Sequence, residues 1–275
     1  MRSQKASISG RFPKTTVLVL LLGLTTSVVL AAGSPSGEKG GQASPGPASP
    51  PAPAADPSPA SPAIGRGLVA FARYCGSCHG PDGDGRGPSA RRFVAPATSF
   101  LTGVYKCRST ASGALPTDQD LRRSIVDGLP GSGMPPFGAL GPLQIDDLVE
   151  TLKHFSSRFG REAQVPPLAV TGEPANDGQS VSRGAQVYDR LKCATCHGWR
   201  GEGGPGAANL RNDDGTSAEV TDFTRKYSLR CGDTADRLYV TIMTGLDGTP
   251  MASYAEAVAG SDAWDVVHYI LSVRR

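Results

Sequence analysis

Two pentapeptides of the pattern Cys-x-x-Cys-His, at residues 75–79 and 193–197, carry the strongest chemical signal in this 275-residue chain. Two intervening residues place both thiols on one turn of helix, where each can add across a vinyl group of a porphyrin. The adjacent histidine then faces the iron as a nitrogen ligand. The motifs predict two covalently attached haems c, with these attachment cysteines and proximal histidines: Cys75, Cys78 and His79, and Cys193, Cys196 and His197.

Zinc sites and redox-active dithiols also use Cys-x-x-Cys pairs, but neither fits the surrounding sequence. A structural zinc site needs a second pair of ligands close by, and none follows within the usual spacing. A thioredoxin-like dithiol belongs to a strand-and-helix unit. Residues 67–74 and 184–192, which precede the motifs, have instead the apolar spacing of short amphipathic helices. The sequence therefore favours haem at both motifs.

The chain repeats itself around these motifs. Residues 128–137 and 245–254 align without a gap on the pattern Gly-Leu-x-Gly-[Ser/Thr]-x-Met-x-x-[Phe/Tyr]. Their methionines, Met134 and Met251, follow the motif histidines by 55 and 54 residues. A thioether is a soft ligand that stabilises ferrous iron. Because both lie in loops rather than on an apolar helix face, they are the predicted second axial ligands, whereas Met243 is expected in the core.

A closing helix is predicted at the end of each repeat, since residues 148–155 and 264–270 are apolar at helical spacing. In this alignment His154 and His268 are equivalent. Both are expected to be partly exposed on their helices rather than bound to iron.

Each repeat resembles a class I cytochrome c domain, and the pair resembles the tandem di-haem cytochromes c of bacteria. The resemblance covers roughly residues 64–160 and 180–275. It implies an all-α fold of two tandem helical domains, each around one covalently bound haem. By that likeness, Gly67 and Phe71 on the first helix cross the closing helix near Leu152 and Phe155.

The second repeat departs from this pattern by one residue. Gly184 and Tyr188 lie one residue further from Cys193 than their counterparts lie from Cys75. The extra residue must be absorbed by a bulge before the second haem motif.

Composition divides the chain into five predicted segments. The segment before the first repeat is rich in Pro, Ala, Ser and Gly and cannot bury a core of its own. The segments are 1–32, a signal peptide or membrane anchor; 33–63, a disordered linker; 64–162, the first cytochrome c domain; 163–179, an interdomain linker; and 180–275, the second domain.

The N-terminal segment predicts export. Its four basic residues precede an apolar run over residues 15–32, as in a secretory signal. The run is also just long enough to span a bilayer, so cleavage and retention as an anchor both remain open. Either outcome places the haem domains in the periplasm, where the resemblance also implies haem attachment.

Charge excludes one class of partner. The formal net charge of +3 arises from the leader, because the rest of the chain has 24 basic and 25 acidic side chains. No basic tract is interleaved with aromatic residues, so nucleic-acid binding is not expected.

Two further cysteines, Cys107 and Cys231, do not coincide in the repeat alignment. An oxidising compartment permits a disulfide between them. Two buried thiols, or a thiolate that ligates one haem, are the other open alternatives.

With both axial positions filled, neither iron offers an open site for substrate. The chain is therefore expected to be an electron carrier and not an enzyme. The resemblance implies redox partners: a quinol-oxidising complex upstream and a terminal oxidase or reductase downstream. The alternative is a di-haem oxidoreductase, similar to a thiosulfate dehydrogenase or a peroxidase, with one catalytic haem.

Overall fold

Helices form both repeats, and the structure, a computed structural model, describes residues 61–93, 96–170 and 172–275. The predicted leader and most of the Pro/Ala-rich linker lie outside the described residues. Within the described ranges, none of the helices has the length and apolar character needed to cross a bilayer.

The same succession of four α-helices occurs twice, with one further short helix, α5, after the first, and the described residues contain only isolated β-bridges and no strand. This confirms the predicted all-α class. In the first repeat the helices are α1 (Pro62–Tyr74), α2 (Gly76–His79), α3 (Asp118–Asp127), α4 (Pro142–His154) and α5 (Arg158–Arg161). In the second they are α6 (Gly178–Arg190), α7 (Ala194–His197), α8 (Ala235–Thr244) and α9 (Gly260–Ser272).

The first helix of each repeat begins two residues before the predicted boundary, because a capping side chain precedes it. Ser61 Oγ accepts a hydrogen bond from the backbone N–H of Ile64 at 3.4 Å and so caps α1. The carboxylate of Asp177 accepts from the N–H groups of Gln179 and Ser180 at 3.0 and 2.8 Å and caps α6. Both caps satisfy N–H groups that a helix leaves without partners.

The first and last helices of each repeat cross at a glycine. A Cβ atom on Gly67 would collide with the backbone carbonyl of Asp147 on α4. In the same way, a Cβ atom on Gly184 would collide with the carbonyl of Asp265 on α9. Glycine is therefore needed at both crossings because the two backbones approach so closely.

These crossings correct the predicted alignment of the closing helices. Asp147 and Asp265 are the equivalent residues, and each accepts two hydrogen bonds from an arginine next to the crossing glycine. The equivalence of His154 and His268 is therefore wrong by one helical turn. His154 is exposed as expected, but the expectation for His268 is wrong, because its side chain is fully buried.

The extra residue of the second repeat is absorbed between α6 and the haem motif. Lys192, directly before Cys193, has a left-handed backbone with φ of 61°. In the first repeat, Cys75 follows α1 with φ of −116° and no such turn. The predicted bulge is thus confirmed as a left-handed residue at the end of α6.

Each repeat has its own apolar core. The first is centred on Phe71 of α1 and Leu148 of α4, and the ring centroids of Phe71 and Phe155 lie 4.9 Å apart. The second is centred on Tyr188 of α6 and Trp264 of α9. Met243 belongs to this second core, as predicted.

The two repeats belong to one compact unit and are joined by a disulfide. Cys107 and Cys231 are bonded, with Cα atoms 5.2 Å apart. Of the three alternatives left open by the sequence, the structure therefore shows the disulfide. Neither residue is a free thiol that could bind iron.

A buried ion pair lies beside this disulfide. Arg108 of the first repeat donates to Asp247 of the second at 2.7 Å and to the carbonyl of Thr244 at 2.9 Å. Asp247 also accepts from Ser112 Oγ at 2.8 Å and from the N–H of Gly113 at 2.9 Å. Asp247 belongs to the methionine loop of the second repeat, so this loop is held by the first repeat.

Candidate haem sites

The two attachment motifs lie on the short helices α2 and α7, each of which directly follows the first helix of its repeat in the chain. The chain leaves each motif through a left-handed glycine, Gly80 with φ of 78° and Gly198 with φ of 79°. Burial raises the pKa of the Cys75 and Cys193 thiols to about 11.

A backbone carbonyl orients each proximal histidine. His79 Nδ1 lies 3.0 Å from the carbonyl oxygen of Thr98, and His197 Nδ1 lies 3.2 Å from that of Thr221. A proton on Nδ1 that is donated to the carbonyl leaves Nε2 with its lone pair free for a metal. Burial lowers the pKa of both imidazoles, which favours the neutral form that binds iron.

An aromatic ring also fixes the plane of each imidazole. Phe100 stacks on His79 with ring centroids 4.6 Å apart, and Phe223 stacks on His197 at 4.3 Å. Sequence reasoning missed both this ring and the threonine two residues before it. The signal was a repeated Thr-x-Phe, which follows the histidine at a different distance in each repeat because the second loop is longer.

The methionine loops share one backbone geometry. The N–H groups of Leu129 and Leu246 donate to the carbonyls of Met134 and Met251, both at 2.9 Å. Each loop starts at a glycine with positive φ, and both methionine side chains are half-buried. The loops therefore hold the two methionines in equivalent positions after α3 and α8.

A partly open cavity of about 770 Å³ lies between the two repeats and is lined by residues of both. Its lining includes four predicted haem-binding residues: Cys193, Cys196, His197 and Met251. A cavity of this volume is in the range of cofactor sites. The structure thus brings the second predicted set together, and the first set has the equivalent placement on α2 and on the loop after α3.

The residues present fit a haem in the first repeat as well. The hydroxyl of Tyr105 is buried and has no hydrogen-bond partner among the described residues. Its ring stacks on Phe100, the same ring that contacts His79. A buried hydroxyl without a partner is costly, so a polar group from a bound cofactor would satisfy it.

Comparisons with known proteins agree with this chemistry. The family "Cytochrome c" matches residues 181–274, and the family "Cytochrome C oxidase, cbb3-type, subunit III" matches residues 62–150. Cytochrome c4 of Azotobacter vinelandii is 25% identical over 207 residues, which cover 72% of this chain and 88% of the relative. Cytochrome c4 of Stutzerimonas stutzeri is 28% identical over 176 residues, or 62% and 75% of the two chains.

A solved structure shows the same fold. A chain of the reducing HAO-like protein complex of Kuenenia stuttgartiensis is 33% identical and superposes with a TM-score of 0.73. The match covers 76% of this chain and 96% of that chain. The helical fold and the paired haem motifs define a c-type cytochrome. The chain belongs to the tandem di-haem cytochromes c and binds two covalently attached haems c.

Proposed function

We propose that this chain carries single electrons between redox complexes, with both irons bound by histidine and methionine. One observation carries the proposal: His197, oriented by the Thr221 carbonyl, and Met251 line the same cavity. The haems c supply the one-electron chemistry. In this proposal, His79 and His197 are the proximal ligands, and Met134 and Met251 are the distal ligands.

The remaining roles belong to covalent attachment and shielding. Four cysteines, Cys75, Cys78, Cys193 and Cys196, form the thioethers in this proposal. Cys75 packs against the first apolar core and Cys193 against the second, so each core would shield one side of its haem. With neither iron open to substrate, no residue is assigned a catalytic role. Residues 64–162 and 180–275 would then act as two haem domains joined by 163–179.

Location and partners form a second part of the proposal. We place both repeats in the periplasm, exported by residues 1–32 and held near the membrane if that leader is retained. A quinol-oxidising complex would supply electrons, and a terminal oxidase or reductase would accept them. The likeness of residues 62–150 to an oxidase subunit family and of the chain to cytochromes c4 supports this assignment.

A di-haem oxidoreductase, similar to a thiosulfate dehydrogenase or a peroxidase, is the second candidate. The likeness to a chain from a reducing HAO-like complex favours a role within an enzyme assembly. Against a catalytic haem in this chain, the disulfide occupies both Cys107 and Cys231. A thiolate ligand from these residues would require that bond to be broken.

Near-infrared magnetic circular dichroism of the oxidised protein tests the proposal. We expect Met134→Ala and Met251→Ala each to remove one of two sulfur-to-iron charge-transfer contributions. Met243→Leu is the matched control, because Met243 is a buried core residue of α8. A thiolate-bound or high-spin haem in the wild type would contradict the electron-carrier proposal and favour the oxidoreductase.

A further inference from the structure

Two cationic side chains, one from each repeat, line the second haem cavity. Lys106 of the first repeat and Arg230 of the second both line the cavity that contains His197 and Met251. Both side chains are half-buried, and neither donates a hydrogen bond to another described residue. Burial lowers the pKa of both groups, and the charge of Arg230 lowers that of Lys106 further.

Such an arrangement needs an anion. Two half-buried cations without hydrogen-bonded partners are costly, since both desolvation and mutual repulsion oppose their charged forms. Asp213 and Asp214 attract Lys106, and Glu219 attracts Arg230; all three carboxylates line the cavity, but they are exposed and make no hydrogen bond to either cation. The cavity therefore offers paired donors to an anionic group placed inside it.

The first repeat shows why Arg230 has no hydrogen-bonded carboxylate among the described residues. Arg108, its equivalent in the repeat alignment, is neutralised by Asp247 at 2.7 Å. Position 130 corresponds to Asp247 in the methionine loop of the first repeat, and it is a proline. That loop instead packs through Gly131 against the backbone of Leu229. The methionine loop of the first repeat thus offers Arg230 no carboxylate equivalent to the one that neutralises Arg108.

We propose that Lys106 and Arg230 together bind the carboxylate groups of the second haem, so that the first repeat completes the haem site of the second. Arginine and lysine both form strong charge-assisted hydrogen bonds to carboxylates. This inference rests on haem occupancy of the second cavity, as in the proposed function. Positive charge beside a haem stabilises its ferrous form, so both residues raise the reduction potential of the second haem.

A spectroelectrochemical titration of the intact protein tests this inference. Lys106→Gln and Arg230→Gln should each lower the reduction potential of the second haem and leave the first unchanged. Lys106→Arg should retain most of the wild-type potential. Pro130→Asp should also lower it, because the new carboxylate competes for Arg230. The first haem is identified as the one that remains in a Cys193→Ala/Cys196→Ala variant.

Lys226→Gln is the matched control, because Lys226 is exposed and does not line the cavity. An unchanged second potential in both glutamine variants would overturn the inference, as would equal shifts of both haems or an equal shift in Lys226→Gln. Failure of the proposed function has a different signature: the wild type itself would lack the two sulfur-to-iron charge-transfer contributions. The failures of the two proposals can therefore be told apart.

Discussion

The two repeats share one backbone design but use an equivalent arginine differently. In the first repeat, Arg108 has a fully buried side chain and is neutralised by Asp247 across the interface. In the second, Arg230 faces the haem cavity without such a partner. The comparison indicates that the two repeats share a helical framework, whereas equivalent residues between them have different surroundings. One arginine joins the repeats, and the other lines the cavity.

The helix crossings differ in a similar way. At the first crossing, Thr151 lies against Gly67 and its hydroxyl donates to the carbonyl of Asp147. At the second, His268 is buried on α9, with Nδ1 2.5 Å from Ser180 Oγ and Nε2 3.1 Å from Glu173 in the linker. The second crossing thus links the segment between the repeats to the core through His268 and Glu173.

The largest effect is expected from removing the anion that neutralises Arg108. Asp247→Ala leaves a buried guanidinium without its carboxylate, and breaking a buried pair in this way costs about 3 kcal/mol. Urea unfolding of the haem-loaded protein measures the change. Asp262→Ala is the control: it removes a surface pair with Arg190, with an expected cost of about 0.5 kcal/mol. Equal losses in both variants would show that Arg108 is not specially dependent on its partner.

The disulfide should make the two repeats unfold together. A Cys107→Ala/Cys231→Ala variant loses a cross-link between positions 124 residues apart, and such losses typically cost about 2–4 kcal/mol. We expect the single unfolding transition to separate into two, one for each repeat. Circular dichroism in the Soret region and in the far ultraviolet follows haem sites and helices separately. One unchanged transition would mean that the ion pair and the loops alone hold the repeats together.

The glycine at the first crossing should be far more sensitive than its neighbour on the same helix. Gly67→Ala places a methyl group against the Asp147 carbonyl, and overpacking of this kind costs about 1–3 kcal/mol. Gly65→Ala, whose methyl group meets no atom within 4 Å, should instead stabilise α1 by about 0.5–1 kcal/mol. Opposite signs in thermal unfolding would confirm the close crossing; two stabilising substitutions would contradict it.

The features that depend on local covalent chemistry, such as the haem attachment motifs, could be predicted from the sequence. Cys-x-x-Cys-His requires fixed spacing, so residues 75–79 and 193–197 were identified directly, and the methionine loops align without a gap. The helix equivalence failed because apolar spacing repeats at every turn of α4 and α9. Only the contact of Gly67 or Gly184 with the facing carbonyl fixes the register, and that contact cannot be read from periodicity.

Contacts made across long loops of unequal length could not be predicted from the sequence either. Thr98 and Thr221 follow their histidines by 19 and 24 residues, so no common spacing marks the carbonyls that orient the imidazoles. The pairing of Cys107 with Cys231 depends on how two repeats pack, which the repeat alignment does not encode. Prediction from the sequence thus reached the cofactor-binding motifs but not the groups that orient them.

The smallest expected effect concerns acid stability at the second crossing. A hydrogen bond from Arg183 lowers the pKa of Asp265, and a hydrogen bond from Ser180 adds to this against the effect of burial. Because the folded pKa lies below the unfolded value of about 4, this carboxylate stabilises the fold above that pH and loses its contribution as the pH falls through the folded pKa. Asp265→Asn should therefore flatten the decline in unfolding free energy below about pH 4.

Urea titrations between about pH 2 and 6 measure that slope, with Asp236→Asn as the control because Asp236 is exposed in the first turn of α8. The variant should also be less stable than the wild type near neutral pH, since Arg183 and Ser180 lose a charged acceptor. If the unfolding free energy of Asp265→Asn declines with falling pH as steeply as that of the wild type, the ion pair at the second crossing contributes to packing alone. The difference between the two crossings would then lie in His268 and its contact with Glu173 rather than in the aspartate that both repeats share.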